Sequence, residues 1–461
     1  MHLSASGKIG FILPVLTGCL TVTSLFSAYA YRLSWNQLPA SLVIGAIVGL
    51  LAWTTFYTLP LTRSASSTVA GIITLVVMTW MVYPYPIMPM MIMVSTVIVL
   101  YDLKPSQLKV ITSTALIITT LAIVASLGQA TYNKTTYASS SPQTATILTR
   151  TPDIYFIVPD RFTSPSALDE CGLDTSDFVS ELENRGFYVP YDSLSSDPAK
   201  PDSDSFAPTT RTLRFLASAL NMGTAVDLNI SYNQASSMVK GHTVGKILRS
   251  NGYIYHHIGD WWQETLSNPE ADHNYIYKGY SAVDYLSQNE LATAVVDRSW
   301  IRDANIGSLL PTDLLIRTNH ERNKYQLATF EEIAGNGEHP KFVFVHILLP
   351  HPPYTWSKEG NTLPVSAGIN TMERYLEQVQ FTEGYLLQMI DSIEDSDSII
   401  IIQSDEGIAL STVEANEELT NNQWNGVLSA WRIPGVDTTR LTDVLPTEIL
   451  GYAIGNLKTG G

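Results

Sequence analysis

The chain has 461 residues and carries 43 acidic against 27 basic side chains, a formal net charge of −16. The imbalance lies in one part of the chain. Residues 1–130 hold five basic residues and one acidic residue, whereas residues 131–461 hold 42 acidic and 22 basic residues. Such an acidic surface repels polyanions and no basic stripe offsets the repulsion, so we predict no nucleic-acid partner. Cys19 lies in an apolar segment and Cys171 in the acidic part, so we expect no intramolecular disulfide.

Residues 1–130 are dominated by five apolar stretches. They lie at about 9–31, 38–60, 67–83, 86–101 and 107–128. Each is near the ~20 residues that cross a ~30 Å hydrocarbon core, although the third and fourth are short. We therefore predict a five-helix transmembrane region. A cleaved signal peptide is the alternative for the first stretch only, because Lys8 precedes an apolar run that ends in a small-residue motif at 28–30.

The short loops predict the orientation of this region. With the N-terminus inside, the cytoplasmic positions hold four basic residues: Lys8, Arg63, Lys104 and Lys109. The outer loops hold only Arg32, as the positive-inside rule requires. Five crossings then place everything after Gln129 outside, so we predict a multi-pass protein of the cell membrane with an extracytoplasmic C-terminal domain. Four crossings would reverse that placement. The central prolines of 67–101 favour two helices there.

The remainder of the chain reads as a linker followed by one large domain. Residues 131–150 are rich in Ser and Thr and lack periodicity, which is typical of a linker. Over 151–461, short apolar runs alternate with helical patterns. The runs lie at 152–159, 252–258, 341–349 and 398–403, and the helical patterns at about 166–185, 211–221 and 370–394. Buried strands alternating with helices predict an α/β domain with a mostly parallel central sheet.

Polar side chains stand where three of the predicted strands end. Asp160 follows the first strand, His346 and His351 lie around the third, and Asp405 and Glu406 follow the last. In parallel sheets the ligand site lies beyond the carboxyl ends of the strands. Each residue also has an ordinary interpretation, as a helix cap, a turn or part of a rigid proline-rich loop. Their convergence at one edge favours a site.

Four segments resemble the sulfatase-like branch of the alkaline-phosphatase superfamily, and they occur in the family's order. They are PDIYFIVPD (152–160), TLRFLASALNM (212–222), HILLPHPPY (346–354) and IIIQSDEG (400–407). That branch includes lipoteichoic acid synthases and phosphoethanolamine transferases, which carry five N-terminal helices and an outer catalytic domain. The resemblance covers nearly the whole chain and implies an alkaline-phosphatase/sulfatase-like α/β domain with metal-dependent hydrolase or transferase activity.

The resemblance also implies roles for individual residues. The acidic metal ligand that ends the family's first strand maps to Asp160, and the nucleophile that opens a helix maps to Thr212. His351 maps to the histidine that contacts the substrate's phosphoryl group or protonates the leaving group. His346 maps to another histidine of that motif and is a second predicted substrate contact. A hydroxyl at a helix N-terminus meets unpaired N–H groups that also hold a phosphate or sulfate.

Two of these assignments leave alternatives open. An alternative interpretation of Thr212 is an ordinary N-cap threonine, with Thr209 and Thr210 as nearby substitutes for the nucleophile. Trp261 is a candidate substrate contact that lines the cleft, but a place in the core is an equal interpretation.

One position departs from the family pattern. Where the family's last strand ends in Asp-His, both of them metal ligands, this chain has Asp405-Glu406. The implied ligand set is then Asp160, Thr212, Asp405 and Glu406. An all-oxygen set suits Mn²⁺, Mg²⁺ or Ca²⁺ better than Zn²⁺, so we expect one divalent ion of that kind. The extra carboxylate also adds negative charge beside an anionic substrate, which makes loss of activity the competing expectation.

The function implied is a membrane-anchored, metal-dependent hydrolase or phospho-group transferase with a threonine nucleophile. Its substrates would be phosphate or sulfate esters of envelope lipid or glycan, and its partners membrane lipid and a glycan or lipid-linked substrate. Cys171 lacks the C/S-x-P-x-R context of formylglycine sulfatases, which favours phospho-group chemistry. The alternative is a catalytically inactive domain that binds glycan or protein. A transporter is disfavoured because the apolar stretches carry no ionisable residue in their interiors.

Overall fold

The computed structural model describes most of the C-terminal two thirds of the chain and part of the N-terminal region. The described residues are 12–28, 38–58, 105–135, 147–195, 210–224, 232–262, 264–279, 312–363, 371–409, 419–437 and 444–458, with the single positions 230, 291, 412 and 441. The chain forms two compact units. The first comprises Met1–Tyr137 with Ser281–Pro311, and the second Ala138–Tyr280 with Thr312–Gly461.

Three described helices belong to the first unit: α1 (Ile12–Ala28), α2 (Leu38–Thr58) and α3 (Pro105–Thr135). They cover the first, second and fifth apolar stretches, while the third and fourth lie outside the described residues. Helices α1 and α2 approach closely at two glycines, since a Cβ on Gly18 would stand 1.9 Å from the carbonyl oxygen of Gly45. Among the helices that the structure describes, none combines the length and the apolarity needed to cross a membrane.

The second unit is built on a six-stranded sheet. Its strands are β1 (Ile154–Pro159), β2 (Ile254–Ile258), β3 (His273–Tyr275), β4 (Lys341–Ile347), β5 (Ile399–Gln403) and β6 (Ser429–Arg432). The strand order is β3-β2-β4-β1-β5-β6, parallel throughout except for β6, which pairs antiparallel with β5. Strands β1, β4 and β5 are buried along their whole length, which explains their continuous apolar sequences. The predicted mostly parallel α/β domain is confirmed.

Nine described helices precede, follow or connect these strands along the chain. They are α4 (Pro165–Glu170), α5 (Ser176–Asn184), α6 (Arg211–Ala219), α7 (Tyr232–Lys240), α8 (Thr243–Ser250), α9 (Thr312–Gly335), α10 (Met372–Asp391), α11 (Asn421–Asn425) and α12 (Ile449–Asn456). The helical pattern at 166–185 therefore forms two helices. The break contains Gly172, whose φ of 83° is one that glycine adopts readily.

The sheet order brings four strand ends together. Strands β2, β4, β1 and β5 are successive neighbours and parallel, so their carboxyl ends share one edge. The register pairs Val158 of β1 with His346 of β4, one residue before each strand ends. Side chains at these ends are consequently within reach of one another.

A buried lysine joins helix α9 to strand β4. Lys341 has no exposed surface, and its ammonium donates to the carbonyl oxygens of Ile333 (2.7 Å) and Asn336 (2.9 Å) and to the side-chain oxygen of Asn336 (3.0 Å). Ile333 lies in the last turn of α9, so the cation satisfies carbonyl groups that the helix end leaves unpaired. Burial lowers the pKa of Lys341.

Replacing this lysine tests its role as a helix cap. We expect Lys341→Met, which keeps the length of the side chain but removes the donor, to lower the free energy of unfolding by about 1–3 kcal/mol, because buried carbonyl groups lose their partners. Urea unfolding followed by circular dichroism measures the change. The matched control is Lys324→Met on the exposed face of α9, which should leave the midpoint unchanged. Equal midpoints for the two variants would contradict the capping role.

Candidate metal centre and active site

Two carboxylates and one imidazole meet at the shared edge of the sheet. Asp160 follows β1, His346 lies one residue before the end of β4, and Asp405 comes two residues after β5. One ligand atom from each of the three lies within 4.8 Å of the other two, and all three residues are buried. This is the spacing that a single metal ion requires.

The same three side chains present unsatisfied atoms. Asp160 Oδ1, His346 Nε2 and Asp405 Oδ2 are buried and have no hydrogen-bond partner within the described part of the chain. Buried polar atoms without partners are rare in folded proteins, and a buried charge normally has a counter-charge or a metal. One unpartnered atom on each residue of the cluster fits a divalent cation bound by one nitrogen and two carboxylates.

The electrostatics of the cluster agree with this interpretation. Burial raises the pKa of Asp160, and the neighbouring Asp405 raises it further. Burial and the adjacent Glu406 likewise raise the pKa of Asp405. Burial disfavours a charged His346, but the carboxylate of Asp260 outweighs that effect and raises its pKa to about 9. The metal-free site therefore holds mutually repelling carboxylates, which a bound cation would stabilise.

Thr212 lies in the first turn of α6 beside this cluster. Its hydroxyl donates to Glu406 Oε1 at 2.9 Å and also contacts the carboxylate of Asp405, whose pKa that contact lowers. The N-cap of α6 is Thr210, whose side-chain oxygen accepts from the N–H of Leu213 at 3.2 Å. The capping role considered for Thr212 thus belongs to its neighbour, and Thr209 lies outside the described residues.

Glu406 is paired with an arginine rather than placed in the cluster. Its Oε2 lies 3.2 Å from Nη2 of Arg161, while Oε1 accepts from Thr212. Burial opposes its ionisation, but the guanidinium groups of Arg161 and Arg211 outweigh burial and lower its pKa. The structure thus brings together the four residues predicted as metal ligands, Asp160, Thr212, Asp405 and Glu406, but it is His346 that completes the three-residue cluster.

Of the other two predicted substrate contacts, His351 lies near enough to Arg161 and Glu406 for their charges to act on it. His351 is half-buried, and its Nδ1–H donates to the carbonyl oxygen of Pro352 at 2.5 Å. Burial, reinforced by the charge of Arg161, lowers the pKa of His351 to about 3. Trp261 is half-buried, but the indole recorded near His346 is that of Trp262, with 6.2 Å between ring centroids.

Sequence reasoning missed two charged residues of this site. Arg161 adopts a left-handed backbone conformation (φ 64°), which is uncommon for a residue with a side chain, and its N–H donates to Asp405 Oδ1 at 3.2 Å. Asp260 follows β2 and lies 2.5 Å from Nδ1 of His346. Asp260 was detectable, because it ends a strand as Asp160 does. For Arg161 the only signal was its position directly after Asp160.

The fold and site together define an alkaline-phosphatase-like α/β domain with a candidate metal centre at the carboxyl edge of its sheet. The chain belongs to the sulfatase family, because the family model described as Sulfatase matches residues 203–436. The resemblance stated from the sequence motifs is confirmed. Sulfatase-family proteins bind a metal, in agreement with the cluster at 160, 346 and 405.

Solved structures with a similar arrangement share little sequence with this chain. One is the C-terminal periplasmic domain of EcEptC from Escherichia coli in complex with Zn: 13% identity, 68% of this chain and 86% of that chain covered, TM-score 0.42. Another is the integral membrane lipooligosaccharide phosphoethanolamine transferase A (EptA) from Neisseria meningitidis. It is 12% identical, the match covers 98% of this chain and 93% of that chain, and the TM-score is 0.37. The lipoteichoic acid synthase LtaP from Listeria monocytogenes is 12% identical. The match covers 63% of this chain and 67% of that chain, with a TM-score of 0.40. No curated protein matches the sequence.

A single substitution separates metal binding from stability. We expect Asp405→Asn to abolish stoichiometric uptake of Mn²⁺ or Zn²⁺ and yet to raise the free energy of unfolding of the chelator-treated protein by about 0.5–2 kcal/mol, because it relieves repulsion within the cluster. Elemental analysis and urea unfolding with excess chelator measure the two effects. Asp397→Asn, an exposed site paired with Arg150, is the control and should change neither. Loss of stability together with unchanged metal content would contradict the assignment.

Proposed function

We propose that the protein is a metal-dependent hydrolase or transferase of phosphate or sulfate esters in which Thr212 is the nucleophile. The observation that carries the proposal is the position of the Thr212 hydroxyl. It lies in the first turn of α6, donates to Glu406 at 2.9 Å and contacts Asp405 of the buried cluster. A hydroxyl so placed has a proton acceptor on one side and the candidate metal centre on the other.

The reaction follows from this arrangement. Thr212 Oγ1 attacks the phosphorus or sulfur atom of the ester and its proton passes to Glu406 Oε1, while the bond to the leaving oxygen breaks and that oxygen takes a proton from solvent to leave as the alcohol. Water or an acceptor hydroxyl then attacks the same atom and loses its proton to solvent, while Thr212 Oγ1 leaves and takes its proton back from Glu406, which releases the acid or the transferred product. When bound by Asp160, His346 and Asp405, a divalent cation supplies Lewis-acid polarisation of the ester.

Arg161 offsets the charge that Glu406 introduces. The family's histidine is replaced here by a carboxylate, which by itself would repel an anionic ester. The guanidinium of Arg161 stands 3.2 Å from that carboxylate. Only 20% of the Arg161 side chain is exposed, so water screens the attraction between the two charges weakly. The pair leaves Glu406 ionised as a proton acceptor without adding net negative charge. His351, a neutral imidazole whose Nδ1–H is engaged, and Trp261 are proposed as substrate contacts.

The donor set also bears on the proposed cation. An all-oxygen set favours Mn²⁺, Mg²⁺ or Ca²⁺, whereas the imidazole of His346 adds a nitrogen donor, which suits Zn²⁺ and Mn²⁺. Of the ions predicted from the sequence we therefore propose Mn²⁺, with Zn²⁺ as its competitor at the same three atoms.

The proposed substrates belong to the cell envelope, because the first unit presents apolar faces suited to lipid. On α3, Val110, Ile117, Ile118, Leu121 and Val124 recur at helical spacing and are each at least 60% exposed. Monomeric soluble proteins rarely expose such a stripe. We propose that this unit anchors the protein in the membrane, with the catalytic domain outside and an envelope lipid, glycan or lipid-linked ester as substrate.

Substitutions at Thr212 and Glu406 test the mechanism. With Mn²⁺ and chromogenic phosphate monoesters, phosphate diesters and sulfate esters as probes, we expect Thr212→Ala to lower kcat about 10³-fold or more and Glu406→Gln about 10²-fold. Thr210→Ala is the matched control. It removes the N-cap at a cost of about 1 kcal/mol in stability but should keep its turnover.

Two results would contradict this proposal in different ways. Full turnover by Thr212→Ala would show that Thr212 is not the nucleophile. Absence of turnover by the wild-type protein with every probe and cation would favour the inactive, glycan-binding or protein-binding domain.

Membrane anchoring has its own test. After alkaline carbonate extraction of cell membranes, we expect the full-length protein to stay in the pellet, because apolar contacts with lipid resist high pH. Protease added to intact cells or spheroplasts should digest the C-terminal domain. Release of the protein by carbonate, or protection of the domain until the membrane is lysed, would contradict the proposed anchoring or orientation.

A further inference from the structure

We propose that Asp260 and Thr265 are positioning residues that hold the imidazole of His346 in the one orientation and tautomer that binds a metal ion. Both residues follow strand β2, which contributes no ligand to the three-residue cluster. The inference rests on the metal site of the proposed function and adds two residues that determine its affinity.

The contacts around His346 are short and fully buried. Asp260 Oδ2 lies 2.5 Å from His346 Nδ1, and neither side chain has exposed surface. The hydroxyl of Thr265 lies 3.1 Å from Asp260 Oδ2 and 3.1 Å from His346 Nδ1. The N–H of Trp262 donates to the other oxygen of Asp260 at 2.5 Å. Asp260 thus has a partner on each oxygen and cannot turn away from the ring without leaving buried donors unsatisfied.

These contacts determine which nitrogen of His346 is available. Nδ1 faces the hydroxyl of Thr265, which donates to Asp260, and the carboxylate of Asp260 itself, so the hydrogen of the neutral ring lies on Nδ1 and Nε2 keeps a free lone pair. Nε2 is the atom left without a hydrogen-bond partner among the described residues, and its distance of 3.7 Å from Asp160 Oδ2 is too long for a hydrogen bond. A carboxylate that holds the far nitrogen of a ligating histidine orients the ring and increases its basicity toward the metal.

The segment that carries Asp260 and Thr265 is itself fixed by a chain of hydrogen bonds, in which each group accepts from the one before it and donates to the next. The N–H of Gly245 donates to His242 Nδ1 (2.9 Å), so Nε2 of that neutral ring donates to the hydroxyl of Tyr255 (3.3 Å). Tyr255 in turn donates to His257 Nδ1 (3.0 Å), and His257 Nε2 donates to the carbonyl oxygen of Thr265 (2.7 Å). Each neutral imidazole is therefore held in one tautomer, and the set ends at Thr265.

A second element fixes the ends of β2 and β4 relative to each other. The amide nitrogen of Gln326, which is fully buried in α9, donates to the carbonyl oxygens of Gly259 (3.0 Å) and His346 (2.9 Å). Gly259 permits the turn that follows β2, because a Cβ there would stand 2.1 Å from the carbonyl oxygen of Leu266. Asp260 and His346 are thus held next to each other by hydrogen bonds to the backbone as well as by their own contact.

The competing interpretation is a purely structural ion pair, in which a protonated His346 neutralises Asp260 and Asp160 and no metal is involved. The two interpretations differ in what Asp260 controls. A positioning residue controls metal affinity and the ligand field of the metal, whereas a structural ion pair controls only the stability of the metal-free protein.

Cobalt(II) binding to the purified full-length protein distinguishes them. Co²⁺ would be titrated in competition with a chelator, with its visible absorption recorded, for wild type, Asp260→Asn, Thr265→Val and Thr265→Ser. The thermal midpoint of each chelator-treated protein is measured in parallel. Asp397→Asn at the opposite edge of the sheet is the matched carboxylate control, because its Arg150 pair lies away from the cluster.

We expect Asp260→Asn to weaken Co²⁺ binding about 10- to 100-fold and to shift its absorption bands. The thermal midpoint of the metal-free protein should also fall, because the buried imidazole of His346 loses its counter-charge, so the affinity and the spectrum decide between the two interpretations. Thr265→Val should weaken binding several-fold, and Thr265→Ser, which keeps the hydroxyl, should restore it. Wild-type affinity and spectrum in Asp260→Asn would overturn the inference and leave the proposed function standing.

Two further outcomes are also decisive. Absence of Co²⁺ binding by the wild type would overturn the metal site of the proposed function and this inference together. If Asp260→Asn does not fold, the comparison of Thr265→Val with Thr265→Ser decides, since equal affinities would overturn the positioning role.

Discussion

Asp160 and Asp405 are buried carboxylates at the ends of neighbouring parallel strands, and each keeps one oxygen without a hydrogen-bond partner among the described residues. Placing two such groups together in a protein interior is unfavourable unless a positive charge lies between them. The imidazole of His346 supplies the third donor atom, and its far nitrogen is held by Asp260. The polar contacts of this edge therefore follow from one requirement, the neutralisation of a buried negative cluster.

A second pair of opposite charges, Glu406 and Arg161, lies beside the cluster. Glu406 stands where the family has a histidine, and in this chain it accepts from Thr212 and pairs with Arg161. Arg161 reaches that position through a left-handed backbone conformation and donates its N–H to Asp405. The carboxylate and the guanidinium together form a neutral unit next to Thr212, the proposed nucleophile. The charge of Glu406 is thus compensated by that of Arg161.

The sequence predicted the sheet and most of the site from one rule, that polar residues after buried parallel strands meet at one edge. This rule located Asp160, His346 and Asp405 without knowledge of the strand order. Their partners depended on that order, which does not follow the chain: β2 lies beside β4, so Asp260 meets His346 across 86 positions of sequence. Pattern alone does not show which strands become neighbours.

The roles of Thr212 and Glu406 as metal ligands stay predictions, and the structure adds contacts that the sequence did not indicate. Consecutive residues after a strand point in different directions, so Asp405 reaches the cluster while Glu406 turns toward Thr212 and Arg161. The split of the helix predicted at 166–185 was readable from Gly172. All five membrane segments remain predictions, and the third and fourth lie outside the described residues.

The central claim is that Asp160, His346 and Asp405 bind one divalent cation. Anomalous X-ray diffraction from crystals grown with Mn²⁺ or Zn²⁺, with data collected on both sides of the metal's absorption edge, tests it most directly. The account predicts a single anomalous peak about 2.0–2.3 Å from His346 Nε2 and from one carboxylate oxygen each of Asp160 and Asp405. A peak that His346 does not contact, or no peak in protein soaked with either ion, would contradict it.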